Sequence, residues 1–334
     1  TPANPEYVYV CSANSTDFRA LFRSTDSGES FEEMSDSPNI LSWAADGNGE
    51  GGQAWYDLCI SADPVNADRI YVGGIRVKRS DDGGATWIDV QNSYLHVDQH
   101  WMEFSPHNGQ MYLCNDGGIY LYENNTDWVD ITNGIVNSQI YKFGQSQFNA
   151  SKALCGFQDN GTSEYNGTNW QRINGGDGFE SAYDPEDPEY WYTSLYYGQF
   201  YRTGPDYTNE KICGFEVLNI DESGGWLSPY FISEHNSNTM FAGLKNVWRT
   251  HNIKTAIKDS IVWERISWDL GGNNNSNLNT LDQSPLDSNL VYTSEGSRKF
   301  FRTNNALAPM DEVVWEDLSN VLPWVSVPVT ACEP

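Results

Sequence analysis

An aromatic residue followed two or three places later by an apolar one recurs seven times along this chain, at Phe31, Trp87, Trp128, Trp170, Phe215, Trp263 and Trp315. The intervals, about 41 to 56 residues, fall in the range of β-propeller blades. Upstream of most anchors a strand ends in Arg plus Ser or Thr, as at Arg23-Ser24, Arg79-Ser80, Arg202-Thr203, Arg249-Thr250 and Arg302-Thr303. Before that comes a segment of alternating apolar residues, such as Tyr71-Val72-Gly73 or Phe241-Ala242-Gly243, and a period of two marks strands. Seven anchors imply an all-β chain, a single seven-bladed β-propeller of four-stranded antiparallel blades.

At 334 residues the chain exceeds the usual size of one core, yet radial repeats grow by adding blades, so residues 1–334 are expected to form one domain. The 19 basic and 46 acidic residues leave a formal net charge of -27, which repels phosphate backbones and excludes nucleic acid as a partner. No stretch approaches the roughly 18 apolar residues a spanning helix needs, so membrane insertion is not expected. The chain opens at Thr1-Pro2-Ala3 and reads as a mature or excised segment, a piece of a longer surface protein. Its composition, with 13 Trp and 19 Tyr and many Gly, Asn, Asp and Ser residues between short apolar runs, suits a turn-rich β fold.

Two blades carry a turn that resembles the Asp box: Ser24, Asp26, Gly28 and Phe31 in one, Ser80, Asp82, Gly84, Thr86 and Trp87 in the other. Its chemistry is local. The carboxylate accepts turn amides, glycine supplies a positive φ and the ring packs between sheets, so the motif is structural rather than catalytic. The other five blades keep the aromatic but lack the turn, as between Thr250 and Trp263.

The chain ends in Val327-Pro328-Val329-Thr330-Ala331-Cys332, which looks like an innermost strand, and begins with Tyr7-Val8-Tyr9-Val10, which looks like the strand that follows one. The expectation is closure, with the C-terminal strand completing the N-terminal blade. Six cysteines show no C-x-x-C pair or metal-ligand spacing. Cys11 and Cys114 share a column with Gly73, Ser194, Gly243 and Ser294, and Cys155 falls in or beside it, so small buried thiols are expected there. Cys11 and Cys332 are the pair to test first for a bridge.

From Gly52 to Arg202 the chain resembles the Asp-box (BNR) propellers of large Bacteroidetes surface proteins, many exported by type IX secretion. The resemblance is carried by Gly52-Gln53-Ala54-Trp55-Tyr56-Asp57, His96-Val97-Asp98-Gln99-His100, Asn115-Asp116-Gly117-Gly118-Ile119-Tyr120, Gln158-Asp159-Asn160-Gly161-Thr162 and Gly175-Gly176-Asp177-Gly178. It implies a secreted or cell-surface location. Sialidases, sortilin-type receptors and xyloglucanase-type hydrolases look similar at a greater distance.

In a propeller the starts of the innermost strands and the turns between second and third strands converge on one face. The first set supplies Gln53, Tyr56, Asp57, His96, Asp98, His100, Asp177 and Glu180. The second supplies Asn115, Asp116, Gln158, Asp159, Asn160, Tyr196, Tyr197, Lys245, Asn246, Glu295 and Arg298. Three chemistries compete for these residues. Asp98 with Asp177 or Glu180, aided by His100, could act as acid and base on a glycosidic bond, for which the carboxyls stand roughly 5 to 9.5 Å apart. The oxygen-rich set could hold Ca²⁺, and His96-x-Asp98-x-His100 could bind a transition metal if strand alternation puts all three on one side. Trp55, Tyr56, Trp101, Tyr196, Tyr197, Trp226 and Trp324 could offer a stacking surface for a glycan or a protein, with Gln158, Asp159, Asn160, Asn115 and Asp116 as polar partners.

The reading that joins these features is an extracellular recognition or adhesion module binding a glycan or a cell-surface protein. A glycoside hydrolase or polysaccharide lyase is the first alternative, and a structural subunit of a surface assembly the second. Sequons at Asn14, Asn124, Asn149, Asn160, Asn166 and Asn274 are what Asn-rich turns generate by chance. Ser35 to Gly52 and Gly271 to Asn277 read as flexible insertions.

Overall fold

The computed structural model describes residues 1–124, 126–135, 138–268, 270, 276–295 and 299–320. The chain divides into two compact units, Thr1–Asn137 and Ser138–Pro334. The first unit holds three antiparallel meanders: Val8–Ala13, Phe18–Ser24 and Glu32–Ser35; then Cys59–Ala62, Ile70–Gly73, Val77–Ser80 and Ile88–Asp89; then Gln99–Phe104, Met111–Asn115, Gly118–Glu123 and Asp127–Asp130. The second holds four. They are Ile140–Gln145, Ala153–Phe157, Gly161–Tyr165 and Trp170–Asn174; Ser181–Tyr183, Trp191–Leu195, Gln199–Thr203 and Asn209–Cys213; Tyr230–Ile232, Met240–Gly243, Val247–Thr250 and Trp263–Arg265; and Leu278–Gln283, Val291–Glu295, Lys299–Thr303 and Glu316–Asp317. In every sheet the strands lie side by side in chain order. Seven such sheets are the blades of a seven-bladed β-propeller, and among the described residues no helix is long and apolar enough to cross a membrane. The first sheet has three strands rather than four. The closing strand at Val327–Thr330 and the Cys11–Cys332 pair lie outside the described residues.

The strand register explains the sequence columns. Tyr9 faces Arg23, Tyr71 faces Arg79, Tyr192 faces Arg202, Phe241 faces Arg249 and Tyr292 faces Arg302. Two residues further on, space runs out: a Cβ on Gly73 would stand 2.7 Å from Cys59 Sγ and 2.8 Å from Gln99 Cβ. The five described cysteines are free thiols, and burial pushes Cys11 and Cys59 up to about 12, which keeps both protonated and unreactive.

Neighbouring sheets within a unit are tied by two repeated contacts. The anchor indole donates to a carbonyl in or just past the outer strand of the preceding sheet: Trp128 Nε1 to Val90 O at 2.8 Å, Trp263 Nε1 to Ile212 O at 2.8 Å, and Trp315 Nε1 to Ile266 O at 2.8 Å. Trp87 Nε1 uses Ser35 Oγ, at 3.1 Å. Going the other way, the column arginine reaches the next sheet. Arg202 Nη1 bonds Ile253 O at 2.6 Å and Thr255 O at 2.7 Å; Arg249 Nη1 bonds Ala308 O at 3.0 Å and also Ala306 O. Both guanidiniums are buried and each is neutralised in its own sheet, by Glu210 and Glu264.

Three expectations need correction. Phe215 is not the fifth anchor: the outer strand there is Asn209–Cys213, and Asn209, opposite Thr203, occupies the position that Trp263 fills opposite Thr250. Its amide bonds Asn174 of the preceding sheet, so an aromatic search misses the polar substitute, and Phe215 sits half exposed in the following turn. Nor have all five other blades lost the turn. In Ser24–Phe31 and Ser80–Trp87 the serine hydroxyl bonds the aspartate, which accepts the amide just before the aromatic, from Ser30 and Thr86 at 2.9 Å. These bonds, led by those from Ser24 and Ser30, hold the Asp26 carboxyl down at about 2. In the sixth and seventh sheets Thr250–Asn252 and Thr303–Asn305 repeat the pattern, with Val262 N and Val314 N each 3.0 Å from the asparagine Oδ1. Asn replaces Asp because the longer loops present a carbonyl, Ser260 O or Glu312 O, that an amide can donate to and a carboxylate cannot. Finally, the Ser35 to Gly52 insertion is held down: Ile40 and Leu41 are buried, and Lys78 Nζ, paired with Asp89 at 2.8 Å, donates to Ala45 O at 2.5 Å.

The two arginine environments give a direct test. Arg249→Met leaves two loop carbonyls and Glu264 without their buried partner and should lower stability by about 3 kcal/mol in urea unfolding. Arg302→Met, which removes an exposed pair with Glu316, should move the midpoint far less.

Candidate functional site

In the first unit the polar residues gather around the chain reversal at Gln53–Asp57. Tyr56 N and Asp57 N both bond Gln53 O, at 2.8 and 3.1 Å, and this single turn brings the Gln53 amide to Asp57 Oδ2 at 3.2 Å. The same Nε2 donates to Asp98 Oδ1, and Asp57 is hydrogen-bonded to Asp98 as well. Asp57 is fully buried, and that burial, opposed by the Gln53 and Asp98 bonds, pushes its carboxyl up to about 7. Next to them His100 Nε2 lies 2.8 Å from Asp116 Oδ1, Tyr56 OH donates to Asp116 Oδ2 at 3.2 Å, and the Tyr56 and His100 rings meet edge-on at 4.8 Å. Trp55 stands exposed beside Tyr56, their ring centroids 5.6 Å apart.

The expected His96–Asp98–His100 face is not formed. The strand begins at Gln99, and Asp98 has a left-handed φ of 67°, so strand alternation does not extend back to His96. The His96 ring backs onto Gly117, where a Cβ would lie 2.5 Å from His96 Cβ, and its Nδ1 is 2.9 Å from Val97 O. Among the described residues His96, Asp98 and His100 do not bring three ligand atoms to one point. Asn115 locks the local backbone, donating to His96 O at 2.9 Å and accepting from Gly117 N and Gly118 N at 3.0 and 3.1 Å.

The second unit presents an aromatic cluster. Tyr196 stacks on Trp226 with centroids 5.4 Å apart and planes 16° from parallel, while Tyr197 meets Trp226 edge-on at 5.7 Å. Beneath them Phe179 is fully buried, in edge contact with Trp226 at 5.7 Å and 4.7 Å from the Tyr141 ring. Yet Tyr197 and Trp226 remain 50% and 48% exposed. Tyr197 also holds a φ of 61°, costly for a bulky side chain. The loop across from it maintains that conformation: Tyr197 N donates to Gly225 O at 2.9 Å, and Gly224 N to Tyr197 O at 3.1 Å.

Polar groups border the rings. Tyr141 OH donates to Gln158 Oε1 at 3.0 Å, Asp177 Oδ1 accepts Asp159 N at 3.0 Å, and Asn160 Nδ2 donates to Gln158 O at 3.1 Å. Glu180 is raised by burial and countered by Lys142, 3.4 Å away. Of the sequence candidates, Asp98, His100, His96, Asn115, Asp116, Trp55 and Tyr56 belong to the first unit, and Gln158, Asp159, Asn160, Asp177, Glu180, Tyr196 and Tyr197 to the second. Asn246 turns away to bond Glu222 with both backbone and side chain, and Glu295 is buried. Arg298 and Trp324 lie outside the described residues. Tyr141 and Phe179 were missed, since each reads in the sequence as an ordinary apolar strand position.

Neither the family models nor the curated proteins contain a match to this chain. Among solved structures, an ancestral GH74 enzyme is 17% identical over 95% of this chain and 45% of its own, with a TM-score of 0.39. The GH74 xyloglucanase of Xanthomonas campestris is 14% identical over 91% and 58%, with a TM-score of 0.33. The Cps50 (Swd1) β-propeller domain of Myceliophthora thermophila is 10% identical over 81% and 87%, at 0.44. The chain thus spans about half the length of the GH74 structures it matches. Likenesses at this level carry no argument about the site.

Asp57 makes stability depend on pH with a defined sign. Its folded pKa, about 7, lies above the ordinary value of 3.8, so its contribution is complete below about pH 4 and is lost as pH rises to about 7. Urea midpoints measured at pH 4.5 and 7.5 should therefore fall more steeply for the wild type than for Asp57→Asn, which carries no charge to bury.

Proposed function

We propose that this chain is a carbohydrate-recognition module, secreted or displayed at a cell surface, that seats a sugar ring on Tyr196, Tyr197 and Trp226 of the second unit. The carrying observation is the state of Tyr197. A bulky residue in left-handed conformation, pinned by two backbone bonds yet half exposed, spends conformational energy on presenting its ring. A core or turn role would be met more cheaply by Gly or Asn. The stacked Tyr196–Trp226 pair widens that surface, and Phe179 and Tyr141 stiffen it from below, so little order has to be gained on binding. The bordering amides of Gln158 and Asn160 are the groups that read hydroxyls.

A glycan array probed with wild-type protein and with Tyr196→Ala/Tyr197→Ala tests this. The double variant should lose about tenfold or more in affinity, roughly 1.4 kcal/mol, with its unfolding midpoint checked in parallel. Retained binding by a folded variant would remove the proposal, and sugar release that disappears in Asp177→Asn would replace it with the hydrolase reading.

A further inference from the structure

We infer that Glu222 is the positioning residue of the aromatic surface: it fastens the loop that carries Trp226 to the sixth sheet and through that loop keeps Tyr197 presented, an inference that rests on the glycan reading above. Between the outer strand Asn209–Cys213 and the first strand of the sixth sheet, Tyr230–Ile232, the chain runs through a long loop with no strand or helix of its own. Such a loop is uncommon in a compact fold unless it carries function. Its first part turns on itself: Glu216, Leu218 and Asn219 hold left-handed φ angles of 61°, 50° and 66°, and Ile220 is buried. Its second part is fastened from outside, by Glu222. Oε1 of that residue accepts Asn246 N at 2.8 Å and Trp248 Nε1 at 2.7 Å, and Oε2 accepts Asn246 Nδ2 at 2.9 Å. The carboxylate and the Trp248 side chain are both buried, so removing one leaves the other unsatisfied.

Two residues past Glu222 the loop takes hold of Tyr197. Gly224 N donates to Tyr197 O at 3.1 Å and Gly225 O accepts Tyr197 N at 2.9 Å, so one short backbone stretch brackets the left-handed residue, and the next residue, Trp226, is the ring on which Tyr196 stacks. The sixth sheet supports both sides of this junction. A Cβ on Gly198, the neighbour of Tyr197, would stand 2.3 Å from Leu244 Cδ2, and one on Gly224 would stand 3.0 Å from the same atom, so both glycines press on one buried leucine. Leu244 and Asn246 belong to a single turn, in which Leu244 N donates to Asn246 O at 2.9 Å. Apolar contact with Leu244 has no preferred direction, whereas the three bonds of Glu222 fix how the loop lies on that turn. Without them the Gly224–Trp226 backbone keeps its contact but loses its alignment with Tyr197, whose φ of 61° is then free to relax. All three donors are neutral groups, so the position calls for acceptor oxygens more than for a charge.

Hydrogen exchange of the ligand-free full chain reads the positioning directly. In Glu222→Ala the amides of Tyr197 and Gly224 should exchange about tenfold or more faster than in the wild type, while those of the strand Val291–Glu295 keep their rates. Asn246→Ala, a milder change that removes only the Oε2 bond, should move the same amides in the same direction by less. Glu222→Gln, which keeps one oxygen for Asn246 N and Trp248 Nε1, should stay within about threefold of the wild type. In affinity electrophoresis through hydroxyethyl cellulose or dextran, both uncharged, Glu222→Ala should lose about tenfold in affinity for a polymer that the wild type binds, and Glu222→Gln should recover most of it. Unchanged exchange at Tyr197 and Gly224, or a rise shared equally by every strand, would overturn the inference. So would full polymer binding by Glu222→Ala where Tyr196→Ala/Tyr197→Ala has lost it. A local rise in exchange with no polymer bound by the wild type would uphold the positioning and count against the glycan reading alone.

Discussion

The contact between consecutive sheets, where buried apolar side chains of neighbouring sheets pack together, is the constraint on which the rest depends. The joins between the fifth, sixth and seventh sheets are each made twice. The indoles of Trp128, Trp263 and Trp315 reach back to a carbonyl in or just past the preceding outer strand, and the buried guanidiniums of Arg202 and Arg249 reach forward into a loop of the next sheet. Both are directional bonds between groups that burial would otherwise leave unsatisfied, so they set the spacing and angle of neighbouring sheets as well as adding stability. Glu210 and Glu264 make the buried arginines tolerable.

With the sheets placed, the loops at their ends are free to carry polar and strained groups. The pinned Tyr197 and the packed Phe179 under Trp226 show this in the second unit. In the first, the Gln53–Asp57 reversal brings a fully buried carboxyl against Asp98, and Asn115 fixes the backbone around it. The first unit's cluster is a network of mutual hydrogen bonds with Trp55 and Tyr56 exposed at its edge. The second unit's cluster is built from rings that pack on one another while Tyr197 and Trp226 stay half exposed.

Much of the architecture was legible because its contacts are repeated. A residue that bonds the same neighbour in successive sheets recurs in the sequence, so the tryptophans, the Arg-Ser and Arg-Thr strand ends and the small-residue column could be aligned. Legibility failed where a position changed chemistry while keeping its role. Asn209 bonds the preceding sheet with an amide rather than an indole, and Asn252 and Asn305 keep the aspartate's bonds across longer loops. The His96–Asp98–His100 spacing misled because one left-handed residue, Asp98, ends the alternation on which the spacing argument relied.

The sequence alone determined the sheet count, the columns of like residues and the acidic charge, since these follow from periodicity and composition, which are local along the chain. It also named Tyr196, Tyr197 and Trp226 as aromatic candidates. Only the tertiary structure decided that Tyr196 stacks on Trp226 with Tyr197 edge-on and Phe179 behind Trp226, that Asp57 is buried against Asp98, and that the long insertion is clamped by Lys78. Such facts depend on distances between residues tens of positions apart, and those distances are set by how neighbouring sheets pack, a quantity that no window of sequence contains.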